Sequence, residues 1–101
     1  MRKLYYKDHN LMGFEDALKA LKNNLLVARL GWNGKEMFLY MVPKASYPAM
    51  TDNAKRWFGA NAMVDYEGYI AMKNAQNSIC IWTPSQVDLL ADDWCIVNME
   101  D

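Results

Sequence analysis

Between residues 14 and 21 the apolar side chains Phe14, Ala17, Leu18 and Leu21 recur at three- and four-residue intervals, with Glu15, Asp16, Lys19 and Lys22 interspersed. That spacing lays one apolar stripe along an α-helix. The acids open the segment and the lysines close it, as the helix dipole prefers, and Asn23-Asn24 tolerates the left-handed backbone that stops a helix. Beyond it the chain breaks into strand-length apolar runs interrupted by small helical elements. One amphipathic helix that must bury its stripe against short strands predicts an α+β domain. Its sheet is expected to be rich in antiparallel pairs, with an N-terminal helix and a short helix before the last strand.

Residues 25–29 and 37–42 are the first two runs, the second ended by Pro43, and they are expected to pair as a hairpin. Asn33-Gly34 between them accepts positive φ at both central positions of a tight turn. Trp32 is then expected at the turn, with an aromatic face that the neighbouring backbone leaves uncovered. A planar ligand or a second copy of the chain is a suitable lid. From 44 to about 62 the composition turns to Ser, Pro, Asn and Ala, which predicts an excursion from the sheet. Its middle reads as a short helix capped by Thr51 or Asp52 and closed by Gly59, with Trp57 and Phe58 packing back. Strands are expected at Met63–Tyr66, Tyr69–Lys73 and 78–82, where Ile70, Met72, Ile79 and Ile81 keep a two-residue alternation. Thr83-Pro84-Ser85-Gln86 reads as a capping box opening a helix that runs to about Leu90, and Trp94-Cys95-Ile96-Val97 as the final strand.

Composition narrows the function. A chain of 101 residues, 52% hydrophobic, supports one core and one domain spanning 1–101. Eleven basic residues against twelve acidic ones lack the cationic surface that long nucleic acids require. No apolar run approaches the roughly 20 residues that span a bilayer, and the first residues lack the apolar stretch of a secretory signal, so a soluble, cytosolic protein is expected. Cys80 and Cys95 lack a CxxC or CxxH companion and read as reduced core thiols. His9, the only histidine, sits in a polar entry segment, so neither a Ser/His/Asp triad nor a histidine-rich metal cage is expected. Asp88, Asp92 and Asp93 could in principle form an acid/base pair or hold magnesium. Asp92 and Asp93 read more simply as solvated or turn-capping residues, whereas Asp88, like Gln86, could point from the helix toward a cavity.

The residues Phe14, Ala17-Leu18, Arg29, Gly31-Trp32-Asn33-Gly34-Lys35, Met37-Phe38-Leu39, Ile70-Ala71-Met72-Lys73, Trp82 and the run from Ser85 to Trp94 resemble a small phage-associated family, the second type of Thoeris anti-defence protein. The resemblance covers roughly residues 14–97. Residues 1–12 are an additional entry segment, the excursion matches weakly, and Thr83-Pro84 replaces a more apolar connection. The resemblance implies a molecular sponge, not an enzyme. Such proteins hold cyclic ADP-ribose isomers made by TIR-domain immune enzymes, and some relatives hold cyclic dinucleotides. It also implies a homo-oligomer, commonly a tetramer, with ligand pockets between subunits, acting in the host bacterial cytosol without a cofactor.

Residue chemistry can be matched to such a ligand. A purine base needs a flat partner, for which Trp32 and Trp82 are candidates. Ribose hydroxyls suit Asn33, Gln86 and Asp88, and a pyrophosphate suits Arg29, Lys35 or the amides opening the Pro84 helix. Trp94 and Trp57 read as core residues. Two other classes remain open: an enzyme cleaving such signals through Asp88, Asp92 and Asp93, and a structural oligomerisation module.

Overall fold

Two layers form, because the apolar stripe of the amphipathic helix lies on one face of a single large sheet. The computed structural model describes residues 3–6 and 10–100. In chain order the elements are β1 (Lys3–Tyr6), α1 (Phe14–Lys22), β2 (Leu26–Arg29), β3 (Phe38–Val42), β4 (Ala45–Pro48), α2 (Asp52–Phe58), β5 (Met63–Tyr66), β6 (Tyr69–Lys73), β7 (Ile79–Ile81), α3 (Gln86–Leu90) and β8 (Trp94–Glu100). Six strands make one antiparallel sheet in the order β1-β8-β2-β3-β6-β7, and β4 and β5 make a separate two-stranded sheet. The fold is the α+β arrangement that the sequence predicts.

Several local expectations hold for the reasons given. α1 carries acids in its first turn and lysines in its last, buries Ala17, Ala20 and Leu21, and stops where Asn24 takes φ 66°. β2 and β3 pair with Val27 opposite Leu39. In the excursion, the Thr51 hydroxyl accepts the Ala54 N–H at 3.1 Å, and Gly59 ends α2 at φ 115°.

Others are corrected. Asn33 and Gly34 do not form the two-residue turn: the connection runs over residues 30–37, and its positive φ falls on Glu36. The chain turns earlier instead, because the Leu30 N–H donates to the Asp93 carbonyl and the Gly31 N–H to the Asp93 carboxylate. Gly34 serves close packing, since a Cβ there would overlap the Met37 sulfur and the Ala75 side chain. The cap of α3 is Ser85 rather than Thr83, its hydroxyl accepting the Asp88 N–H at 3.0 Å. Trp57 and Phe58 do not pack back: α2 has no buried residue and Trp57 is 83% exposed. Cys95 is buried but Cys80 is exposed, so only the former belongs to the core. The entry segment supplies β1, an edge strand on β8, and β8 runs three residues past the expected Val97, to Glu100. His9 and Asp8 lie outside the described residues.

Strand alternation sorts the large sheet into two faces. Val27, Leu39, Trp94 and Ile96 lie under α1 and, with Ala17, Leu21 and Trp82, make the core. The other face carries Leu4 and Tyr6 of β1, Met99 of β8, Phe38 and Tyr40 of β3, and Ile79 and Ile81 of β7, since these lie an odd number of residues from the core positions or pair with residues that do. No helix packs on it among the described elements; Tyr6, Met99, Ile79 and Ile81 are exposed there, whereas Ala28, Ala71, Cys95 and Val97 on the same face are buried. The Cα radius of gyration, 16.3 Å, exceeds the ~13 Å of a spherical domain of this length. The molecule measures 51 × 32 × 23 Å, elongated because β4, α2 and β5 pair among themselves instead of joining the sheet.

Candidate functional site

Arg29 ends β2 opposite Trp94, the first residue of β8. That register brings its guanidinium to the loop before β8 and to α3. Its Nε donates to Asp93 Oδ1 at 2.8 Å and its Nη1 to Asp88 Oδ1 at 2.9 Å. Asp88 also accepts the indole N–H of Trp32 at 3.1 Å, while its backbone carbonyl accepts the indole N–H of Trp94 at 2.8 Å. Asp93 further accepts the Gly31 N–H at 2.8 Å, an approach that a side chain at Gly31 would block. One guanidinium and two carboxylates thus tie together the end of β2, the turn after it, α3 and the start of β8.

The electrostatics follow from these contacts. Burial pushes the Asp88 carboxyl up, but hydrogen bonds from Arg29, Trp32 and Ser85 together outweigh it and leave it below the usual carboxylate range. Arg29 holds Asp93 below its ordinary value, against a smaller opposing effect of burial, with the Gly31 N–H assisting. The Asp93 hydrogen bond raises Arg29 in turn. Carboxylates with depressed folded values contribute stability that is complete above the unfolded range near pH 4 and is lost as the pH falls through the folded values. Chemical denaturation at pH 7 and pH 3 is therefore expected to show a stability loss on acidification that shrinks in Arg29→Met. The same substitution is expected to cost about 1–3 kcal/mol at pH 7, between exposed and buried ion pairs.

Trp32 is oriented by this network. Its ring meets Trp94 edge to face, with centroids 5.4 Å apart at 80°, and its N–H is held by Asp88. The indole is therefore half-buried rather than bare, a correction to the uncovered face inferred from the turn. The aromatic cluster extends inward from it: Trp94 is fully buried and touches Phe14 and Trp82 at centroid distances of 5.3 and 5.8 Å. Trp82 is 8% exposed and also packs on Phe14, so it is a core residue here and offers no open face within one chain.

Trp32, Arg29 and Lys35 all line one cleft of about 420 Å³, together with Lys3, Tyr6 and Glu36. A neighbouring cleft of about 610 Å³ shares Leu4, Lys35 and Glu36 with it and adds Phe38, Lys73 and Asn77. The Lys73 ammonium donates to the Glu36 carbonyl at 2.9 Å, which ties the base of that cleft to the turn. Together the clefts offer cations, amides and aromatic rings, the groups that phosphates, sugars and bases take up. Of the seven candidate residues, the structure brings together Trp32, Arg29, Lys35 and Asp88. Asn33 and Gln86 are exposed and outside the cleft linings, and Trp82 lies in the core. Tyr6 and Lys73, which the sequence does not single out as site residues, join the clefts from β1 and β6. Asp93 was expected to be solvated or to cap a turn; the pairing of β2 with β8 places it against Arg29. Among the described residues no three His, Cys, Asp or Glu side chains are placed to hold a metal ion.

The family model of the Thoeris anti-defense 2-like domain matches residues 12–97. The protein Thoeris anti-defense 2 of Bacillus phage SP01 is 41% identical over 90 residues, an alignment covering 86% of this chain and 96% of the relative. The matched span begins at Met12, whose backbone bridges Trp94, and ends at Val97 in β8; it leaves out β1.

Proposed function

The chain belongs to the Thoeris anti-defence 2-like family, and on that basis we propose that it serves phage anti-defence as a sponge for a cyclic nucleotide immune signal. The ligand is a cyclic ADP-ribose isomer, with cyclic dinucleotides as a second group, held without cleavage in the host bacterial cytosol so that its effector is never triggered. The observation that carries this reading is Trp32: an indole fixed by Asp88 and Trp94 at the rim of a cleft that also presents Arg29 and Lys35. A base stacks on the free part of the ring, while the pyrophosphate faces Lys35 and whatever hydrogen-bonding capacity of Arg29 its two carboxylates leave unused. Both clefts fall within the roughly 300–1,000 Å³ of small-molecule sites.

The protein acts as a homo-oligomer, a tetramer by analogy with the family, and the helix-free sheet face, with Ile79 and Ile81 exposed beside half-buried Phe38 and Tyr40, is the surface offered for it. Oligomerisation there would close the clefts along the same face. No specific observation favours a carboxylate enzyme: Asp88 and Asp93 are both engaged by Arg29 and held ionised, so neither stands ready to take or give a proton.

A titration with excess ligand separates binding from turnover. With glycocyclic ADP-ribose at tenfold excess over protein, a sponge withdraws a fixed stoichiometric amount and then stops, with or without a chelator. Continued consumption of ligand, or no withdrawal of any cyclic nucleotide tried, contradicts the proposal.

A further inference from the structure

Residues 45–66 fold into an arm that closes on itself and still leaves its largest side chains in solvent. β4 pairs only with β5, and α2 between them buries nothing. Trp57 is 83% exposed, and Phe58 and Met63 of the same arm are exposed too. This is an ordered display: Thr51 caps the helix and Gly59 terminates it, so the indole is carried on a defined element. Lys55 and Arg56 precede it on the last turn.

At the base of the same arm lies a cavity of about 220 Å³, lined among others by Val42, Pro43, Tyr47, Tyr66, Tyr69 and Glu67. It is smaller than the roughly 300 Å³ at which small-molecule sites begin, which argues against a nucleotide as its occupant. Its walls are aromatic and aliphatic apart from Glu67, and the neighbouring cleft adds Asp65 beside Lys44. Trp57 does not line it, so the chain's own knob leaves it unfilled.

We propose that the arm is a self-association element, in which the Trp57 indole of one copy seats in the aromatic pocket at the arm base of a second copy. Lys55 and Arg56, beside the indole, then face Glu67 on the pocket rim. Knob and pocket sit on every copy, so two copies related by a two-fold axis make the contact twice and close as a pair, one step of the assembly. Two such insertions, with Phe58 and Met63 around them, reach the order of 1,200 Å² at which specific interfaces begin. Val42 and Tyr69 line the pocket and also lie opposite each other in the main sheet, so the arm contact continues into the uncovered sheet face.

The inference rests on the homo-oligomer reading above but not on the identity of the ligand. Sedimentation velocity over a concentration series is expected to show Trp57→Ala weakening the arm-mediated step of assembly on the order of 100-fold, as loss of a central aromatic anchor does. Its melting temperature when dilute should stay that of the wild type, because the indole lies in solvent. Glu67→Lys should weaken the same step, and combining it with Lys55→Glu and Arg56→Glu should restore it. A Trp57→Ala protein that assembles like the wild type, or a wild type that stays monomeric, overturns the proposal. Ligand capture by the wild type is scored separately, so a failed sponge and a failed arm contact give different results.

Discussion

Replacing Trp32 with alanine is expected to weaken capture of the cyclic nucleotide by roughly 5- to 150-fold, since base stacking on an aromatic side chain contributes about 1–3 kcal/mol. The substitution also removes the donor that Asp88 accepts, but Arg29 still holds that carboxylate, so the fold should persist. Trp32→Phe separates the two roles of the indole: it keeps a stacking face and loses the N–H. If stacking dominates, calorimetric titration should find Trp32→Phe close to the wild type and Trp32→Ala far weaker. Equal, small losses in both would mean that the ring does not meet the ligand.

Trp94→Ala is expected to be the most destabilising single change, costing about 3–5 kcal/mol of a total that for such domains is about 5–15 kcal/mol. Trp94 is fully buried, contacts Phe14, Trp32 and Trp82, and its N–H satisfies the Asp88 carbonyl. Its removal opens a cavity at the junction of α1, α3 and the sheet and unseats the residue that orients Trp32. For a domain of this length the melting temperature should fall on the order of 20 °C. A fall of only about 5 °C would mean that the aromatic cluster repacks, and that Trp32 does not depend on Trp94 for its position.

Much of this architecture is legible in the chain because it is local. The period of α1, the Asn24 stop, the Thr51 cap and the Gly59 end each depend on residues within a turn of one another. The turn after β2 was misread for the opposite reason. Asn33-Gly34 favours a primed hairpin, yet a carboxylate more than sixty positions away takes the Gly31 N–H and bends the chain earlier. A tertiary hydrogen bond overrode turn propensity. Asp93 could not be assigned from its neighbours, since its role depends on β2 pairing with β8. Trp82 and Trp57 show the limit of reading single aromatic residues: one is swallowed by the cluster around Trp94, and the other is held out on an arm whose two-stranded sheet offers no second layer. That Trp32, Arg29 and Lys35 share a cleft is foreshadowed by their closeness in sequence, whereas Tyr6 and Lys73 arrive from strands at other positions of the sheet.

A sponge holds its ligand and leaves it unchanged. The most direct measurement mixes the protein with glycocyclic ADP-ribose, removes unbound ligand by gel filtration, denatures the complex by heat and identifies the released molecule by chromatography and mass. Sequestration predicts intact ligand recovered in proportion to protein, with Trp32→Ala releasing little. Recovery of a cleaved product, or equal recovery from wild type and Trp32→Ala, would contradict the account.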